Sequence, residues 1–319
     1  MLHHRRFCSL LMLVVCFALT ANAQDRRAAL GFYERGRQRY AKGDMDGAIA
    51  DLTQAIVLFS LPESSLRRHA QDWRFNQAPG SDASNFEQVK LLDPLAAGAY
   101  SDRALARYAQ GDLEGSLSDC EMAISINPGL AEPYNNRGTI RWARGDLEGA
   151  LADYNRVIEI EPRDADAHNN RANVRVDKGD IEGALVDFAK AIALTPRNAK
   201  IYCNRGHARR KKGDIEGALA DFNRAIEIDR RLADGYTGRA LTRYDSHDVD
   251  GAISDLTRVM ELEPRSGRAY GSRGLLRLQQ GHEAEAEKDF EMCVRLEPDL
   301  RPKLEQSIQV IKEARAPKR

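Results

Sequence analysis

The sequence has no excess charge of either sign: its 319 residues include 48 Lys plus Arg against 48 Asp plus Glu. A protein that grips nucleic acid through its phosphates shows a basic surplus, so the balance argues against a nucleic-acid partner. Cysteine is scarce as well. Of five cysteines, Cys8 and Cys16 fall in the N-terminal leader, leaving Cys120, Cys203 and Cys293, odd in number and far apart. Without a C-x-x-C pair there is no zinc ribbon and no dithiol redox site; Cys120 and Cys293 read as small buried hydrophobes. The signatures of catalysis are missing too. No G-x-G occurs, nor a phosphate-binding G-x-x-x-x-G-K-[ST], a G-x-S-x-G elbow or an H-E-x-x-H pair. The seven histidines never fall at ligand spacing outside His3-His4 of the leader. Catalysis needs a convergent, asymmetric set of groups, so no enzyme, cofactor or metal site is expected.

Beyond the leader, no run is apolar enough to span a membrane. The leader itself has His3, His4, Arg5 and Arg6, then an apolar run from Leu10 to Leu19, then Ala21-Asn22-Ala23. That is the layout of a secretory signal peptide over 1–23, cleaved after Ala23. The run falls short of the roughly 20 residues that a membrane span requires; an uncleaved anchor is the alternative reading. Leu13-Val14-Val15-Cys16 lacks the small residue that lipidation of Cys16 would want. Arg5-Arg6 hints at twin-arginine export, with Sec the simpler route. The mature chain is expected to be exported, periplasmic or secreted, without membrane insertion after cleavage.

What the sequence does contain is a period. Tyr100, Tyr134, His168, Tyr202, Tyr236 and Tyr270 each fall 34 residues after the last. Gly-Asp pairs follow at Gly111-Asp112, Gly145-Asp146, Gly179-Asp180 and Gly213-Asp214, and prolines close units at Pro128, Pro162, Pro196, Pro264 and Pro298. Each unit reads as two helices, for example Glu132–Ala143 and Leu147–Ile160. The glycine ends the first helix in a left-handed conformation. The aspartate caps the second, and Glu148 adds a carboxylate to its first turn. Leu147, Ala150, Leu151, Tyr154, Val157 and Ile158 form one apolar stripe at helical spacing. One hairpin cannot bury such a stripe, so the fold class is an all-α solenoid of stacked hairpins. A polar amphipathic helix, Lys303–Ala314, is expected to cap the open end; the cap and tail take up 301–319.

With Pro162 and its equivalents at position 32, repeats start at Ala29, Glu63, Ala97, Ala131, Ala165, Ala199, Ala233 and Gly267. The pattern resembles the tetratricopeptide repeat family, which has this period. Tyr202, Gly206, Ala218, Phe222 and Ala225 satisfy the family's positions 4, 8, 20, 24 and 27 in a single repeat. The resemblance covers 24–300 and implies a right-handed superhelical solenoid that binds a protein or peptide. The 63–96 unit is degenerate. Phe86, Val89 and Pro94 fit, but NQAPGSD replaces the tight turn. It reads as a repeat with a longer internal loop or, alternatively, as an unstructured insertion; Trp73 and Phe75 within it read as core. Ser60 and Arg230 replace two prolines, and His247 replaces a turn glycine.

Arginine recurs at position 7 (Arg35, Arg103, Arg137, Arg171, Arg205, Arg239, Arg273) and aspartate at position 23 (Asp51, Asp119, Asp153, Asp187, Asp221, Asp255, Asp289). Both are absent from the degenerate repeat, where His69 and Asn85 stand. The joint recurrence predicts structural ion pairs such as Arg137–Asp153, Arg171–Asp187 and Arg205–Asp221, within a hairpin or across to the next. A guanidinium fork suits a carboxylate bidentately.

The family resemblance implies that positions 2, 5, 6, 9, 12 and 13 of each first helix line a concave groove. That places Asn135 and Asn136, Asn169, Asn170 and Asn173, Asn204 and His207 there, with Lys200. Carboxamides donate and accept hydrogen bonds. The array is similar to the asparagine ladders of superhelical tetratricopeptide domains that hold extended peptides. The competing reading is that these asparagines bridge neighbouring helices or stay hydrated. The carboxylate clamp of chaperone adaptors is not matched: Glu132 and Asp166 occupy position 2, and only Lys200 with Asn204 fits. Arg209-Arg210-Lys211-Lys212 either complements its helix dipole in solvent or makes a basic end to the groove. The expected function is a non-enzymatic interaction scaffold or adaptor for an extended partner segment. The alternative is a structural component of an envelope or secretion assembly, acting through the convex face or the solenoid ends. Partner identity and oligomeric state are not encoded in any motif.

Overall fold

The computed structural model describes residues 25–60 and 94–315. The leader over 1–23, residues 61–93 of the degenerate repeat with Trp73 and Phe75, and the tail after Arg315 lie outside the described residues. Among the described residues every regular element is helical. The helices are α1 over 25–41, α2 Met45–Ser60, α3 Pro94–Ala109, α4 Leu113–Ile126, α5 Glu132–Ala143 and α6 Leu147–Ile160. They continue with α7 Ala165–Lys178, α8 Ile181–Leu194, α9 Ala199–Lys212, α10 Ile215–Ile228, α11 Ala233–Asp245 and α12 Val249–Leu262. The last are α13 Gly267–Gln280, α14 Glu283–Leu296 and, after a short 3-10 turn, α15 Arg301–Arg315. They fall into two compact units, Met1–Pro162 and Arg163–Arg319.

Each hairpin forms for the same local reasons. Its first helix ends on a residue in the left-handed region: Gly43, Gly111, Gly145, Gly179, Gly213 and Gly281 have φ between 81° and 90°. Glycine meets no Cβ penalty there. His247 holds the same conformation at φ 64°. Except after Gly281, where His282 stands and makes no side-chain cap, the next residue is an aspartate that caps the second helix: Asp146 Oδ1 accepts from the Gly149 amide at 2.9 Å, and Asp180 Oδ1 from the Gly183 amide at 2.9 Å. The cap leaves no room for a side chain at that third residue, since a Cβ on Gly183 would lie 2.2 Å from Asp180 Oδ2.

The second helix turns its apolar stripe inward. Tyr154, Phe188 and Phe222 are fully buried at equivalent positions. Phe222 packs among Ala199, Tyr202, Cys203, Ala218 and Ala225. Burial of such a ring contributes about 1.5–3 kcal/mol, and truncating it to alanine costs about 3–5 kcal/mol once the cavity is included. In the second unit Leu304, Ile308 and Ile311 of α15 cover Leu278, Phe290 and Cys293, and Arg315 Nη1 donates to the Leu278 carbonyl at 2.9 Å.

In the first unit α2 packs directly on α3, with Ala55, Ile56 and Phe59 against Ala96 and Ala99. Arg103 Nη1 donates to Thr53 Oγ1 at 3.0 Å, and Gln110 Nε2 to Asp46 Oδ1 at 2.6 Å. The same two contacts join the consecutive repeats at 233 and 267: Arg273 Nη1 to Thr257 Oγ1 at 3.0 Å and Gln280 Nε2 to Asp250 Oδ1 at 2.7 Å. The repeats starting at 29 and 97 are therefore stacking neighbours, although 68 residues separate them in sequence. Pro94, which the repeat register reads as a closing proline, opens α3 instead. A first-turn position suits it because the missing N–H would have had no partner there.

Candidate functional site

The recurring arginines and aspartates meet within each hairpin. Asp221 is 3% exposed as a side chain; Arg205 Nε and Nη2 reach its two oxygens at 2.9 and 2.6 Å. Arg171 Nη2 lies 2.5 Å from Asp187 Oδ1, and Arg137 Nη2 lies 2.7 Å from Asp153 Oδ1. A second arginine, absent from the expected pairing, joins each carboxylate from one turn further on. Arg209 Nη1 reaches Asp221 Oδ2 at 2.9 Å, Arg175 Nη1 reaches Asp187 Oδ2 at 2.6 Å and Arg141 Nη1 reaches Asp153 Oδ2 at 2.8 Å. The same Arg209 and Arg175 nitrogens hold the Gly217 and Gly183 carbonyls of the second helix at 3.1 Å. The signal was present, because Arg39, Arg107, Arg141, Arg175, Arg209, Arg243 and Arg277 also recur with the repeat. At Asp51 the hydrogen bond from Arg35 holds the carboxyl below its ordinary value.

These clusters tie the first helix to the second and leave another face of the first helix to its neighbours. The asparagines lie there, and several are already engaged. Asn136 is buried; its amide nitrogen donates to Ser101 Oγ at 3.0 Å and to the Ser101 carbonyl at 3.3 Å. Asn204 Nδ2 donates to Asn169 Oδ1 at 2.9 Å, and Asn169 Nδ2 to Asn170 Oδ1 at 3.3 Å. At Asn136, and between Asn169 and Asn204, the bridging reading describes the geometry: a carboxamide shielded from water requires a partner, and the adjacent helix supplies it. Asn135, Asn170 and Asn173 are half-buried and Lys200 is exposed. His207 packs edge-on to Phe222 with ring centroids 4.9 Å apart, and its Nε2 lies 3.4 Å from Asp234 Oδ1.

Every member of the basic run has a partner, although Lys211 and Lys212 are exposed to solvent. Arg209 belongs to the Asp221 cluster and Arg210 Nε pairs with Asp245 Oδ2 at 2.5 Å. Lys211 Nζ donates to the Val176 carbonyl at 2.9 Å, and Lys212 pairs with Glu182 at 3.0 Å. Each cation finds its partner on another helix, which the linear sequence does not display.

Those contacts fix the face of α11. Asp234 and Asp245 both point at α9; Leu241 falls seven residues after one and four before the other, on the same helical stripe. Leu241 and Tyr244 are 39% and 43% exposed there. In the first unit Asp102 plays a separate role on α3. Its Oδ2 is shielded from solvent and makes no hydrogen bond, with Arg37 Nε 3.4 Å away. Burial pushes the Asp102 carboxyl above its ordinary value; burial, then the Asp102 charge, push its hydrogen-bond partner Tyr33 up to about 12. Cys120, Cys203 and Cys293 are free thiols buried in the helical interior. Among the described residues no group of three or more His, Cys, Asp or Glu is placed to hold a metal ion.

Profiles described as tetratricopeptide repeat match residues 138–179, 172–209, 199–232 and 237–299. No curated protein sequence matches the chain. Among solved structures, it is similar to a tetratricopeptide repeat protein of Parabacteroides merdae ATCC 43184, with a TM-score of 0.62 and 18% identity, over 90% of this chain and 99% of that one. It is also similar to pilF of Pseudomonas aeruginosa, with a TM-score of 0.59 and 16% identity, over 69% and 98% of the two chains. A thermophilic repeat protein of Thermus thermophilus matches with a TM-score of 0.50 and 19% identity, over 57% and 100%. At such identities the likeness establishes the fold.

Proposed function

Since the chain belongs to the tetratricopeptide repeat family, we propose that it is a non-enzymatic interaction scaffold holding an extended segment of a protein partner along its first-helix face. The observation that carries this reading is the stripe on α11, where Leu241 and Tyr244 stand exposed beside polar groups already fixed by their neighbours. Apolar surface held between oriented carboxylates, Asp234 and Asp245, offers a partner both burial and direction. Asn173 and Lys200 extend the same face as adaptable polar contacts. The Asn169–Asn204 pair serves as its support, since a peptide would have to break that bridge to use it.

A photocrosslinking side chain at position 241 tests the assignment against one at position 186, where Val186 is 69% exposed on the second helix α8. Adducts formed from 241 and not from 186, reduced at least tenfold by Tyr244→Ala, support the reading. Adducts from 186 alone would move the interface to the opposite face and favour a structural role in an assembly.

A further inference from the structure

The first-helix face of the N-terminal unit differs in chemistry from that of the second. Contacts identify it: Tyr33 and Arg37 of α1 meet Asp102 of α3, and Asn136 of α5 meets Ser101 of α3. Seven residues, two helical turns, after Tyr33, Ser101 and Asn135 come Tyr40, Tyr108 and Trp142, so one half-buried aromatic ring per hairpin lies along the same face. Among the described residues, Glu132 and Arg37 stand close enough to act on the Asp102 charge; Glu34 follows Tyr33 on α1, and Arg26 and Arg27 lie two turns earlier, at the start of that helix. Glu34, Glu132 and Arg37 are exposed. The second unit instead sets Lys200, Arg210, Lys211 and Arg268 among its acidic groups.

We propose that this face docks a basic segment, an extended stretch of a protein partner bearing lysine or arginine. Glu34, Asp102 and Glu132 take the cationic heads, while Tyr40, Tyr108 and Trp142 receive their apolar stems and cationic faces. Carboxylates beside aromatic rings are the pairing that such side chains fill, through ion pairing and cation–π attraction together. Arg37 at 3.4 Å from Asp102 is the chain's own occupant of that position, 64% exposed and so placed to give way.

Asp102 supplies the second argument. Its position in the repeat is filled by Asn136, Asn170 and Asn204 in the three following hairpins. There the neutral amide of Asn136 donates to the neighbouring helix, whereas Asp102 holds a shielded charge with one oxygen lacking a hydrogen bond. A group that breaks the local rule at a cost in stability is the kind found at functional sites.

The inference rests on the scaffold reading, and its test is separable from that reading. In the full chain with Trp73→Phe, Trp142 is the only tryptophan and reports on its own face. Three peptides of one length and apolar content, carrying lysine, glutamine or glutamate at the same positions, are titrated against it. The expected result is saturable binding of the lysine peptide with a Trp142 fluorescence change. Affinity should fall about tenfold between roughly 0.05 and 0.3 M salt as exposed charges are screened. Asp102→Asn should weaken binding about tenfold while raising thermal stability, and Glu132→Gln should weaken it without that gain. Glutamine-peptide binding as tight as that of the lysine peptide, or an Asp102→Asn affinity equal to wild type, would overturn the inference. Both outcomes leave the scaffold reading intact, because that reading is decided by crosslinking at 241 and 186.

Discussion

Asp221→Ala removes the carboxylate that two guanidiniums share, and the structure allows the cost to be worked out. Asp221 is 3% exposed, Arg205 17% and Arg209 27%. Arg205 loses both of its carboxylate contacts and keeps the Tyr202 ring, 5.7 Å from its guanidinium carbon. Arg209 keeps the Gly217 carbonyl at 3.1 Å and Asp214 at 3.6 Å. Stranding one partner of a buried pair costs about 3–5 kcal/mol. Both arginines can turn partly toward water, so about 3 kcal/mol is expected for Asp221→Ala. Arg205→Ala leaves Asp221 with Arg209 and should cost about 2 kcal/mol, near the value of a hydrogen bond to a charged group. Arg209→Ala should cost about 1–2 kcal/mol, since it loses one carboxylate contact and the carbonyl clamp. Because repeat arrays open locally, the assay is amide exchange in α9 and α10 alongside urea unfolding. A double-mutant cycle on Arg205 and Asp221 should return coupling of about 2 kcal/mol. Coupling below about 0.5 kcal/mol, or equal costs for all three substitutions, would show that the ions act independently.

The other perturbations act on single features. His247→Gly should raise stability by about 0.5–1 kcal/mol, because a left-handed residue with a Cβ costs about 1–2 kcal/mol and glycine's extra chain entropy returns about half of that; unchanged urea unfolding would contradict this. Gly183→Ala should cost about 1–2 kcal/mol, since its Cβ would strike the Asp180 carboxylate and displace the cap. Loss of protection confined to the first turn of α8 is the expected exchange signature. Asp102→Asn has a pH signature whose sign follows from the raised carboxyl. The folded state binds that proton more readily than the unfolded chain, so wild-type stability at this site is present at acid pH and lost as pH rises through the folded value. The variant should therefore be the more stable at neutral pH, with the gap closing toward the unfolded carboxyl value near about 3.9; a gap that widens in acid would refute the assignment. Asp51 runs the other way: its carboxyl is lowered by Arg35, so its contribution is present at neutral pH and lost in acid.

The hairpins were legible because each of their local causes recurs with the period. Gly145 ends a helix, Asp146 caps the next and Tyr154 fills the core, each repeated 34 residues on with a compatible residue. The Arg205–Asp221 pairing was legible from joint recurrence, since two charges that come and go together have a shared physical reason. Arg209 recurs as regularly, yet a basic residue in the last turn of a helix already has an explanation in the helix dipole, and that local cause hid the tertiary one. The contacts between hairpins were not legible. Asn136 and Asn204 share a repeat position, but one meets Ser101 and the other Asn169. What each does is set by the preceding hairpin. The stacking of the repeat at 29 on the repeat at 97 was hidden for a different reason. A spacing of two full periods does not say which helices touch, and only the Arg103–Thr53 and Gln110–Asp46 contacts show α2 packed directly on α3.

Zero net charge also misleads about the faces, and the hairpin clusters explain why. In the repeat at 199, Arg205 and Arg209 are balanced by Asp214 and Asp221, and Arg137, Arg141, Asp146 and Asp153 balance in the repeat at 131. These four-residue clusters are neutral, so they add to the charged count without giving the surface a sign. The sign of a face is then set by the few ionisable residues outside the clusters. Around Asp102, among the described residues, those are Glu132 and Arg37; on α9 they are Arg210, Lys211 and Lys212, each held by a neighbouring helix. A partner approaching Asp102 meets two carboxylates, its own and that of Glu132, against Arg37 on a chain that is neutral as a whole. Neutralising Glu34 and Glu132 with glutamine therefore changes the recognition of charge while leaving every Arg–Asp cluster in place. The substitution separates the charge that folds this protein from the charge that it presents.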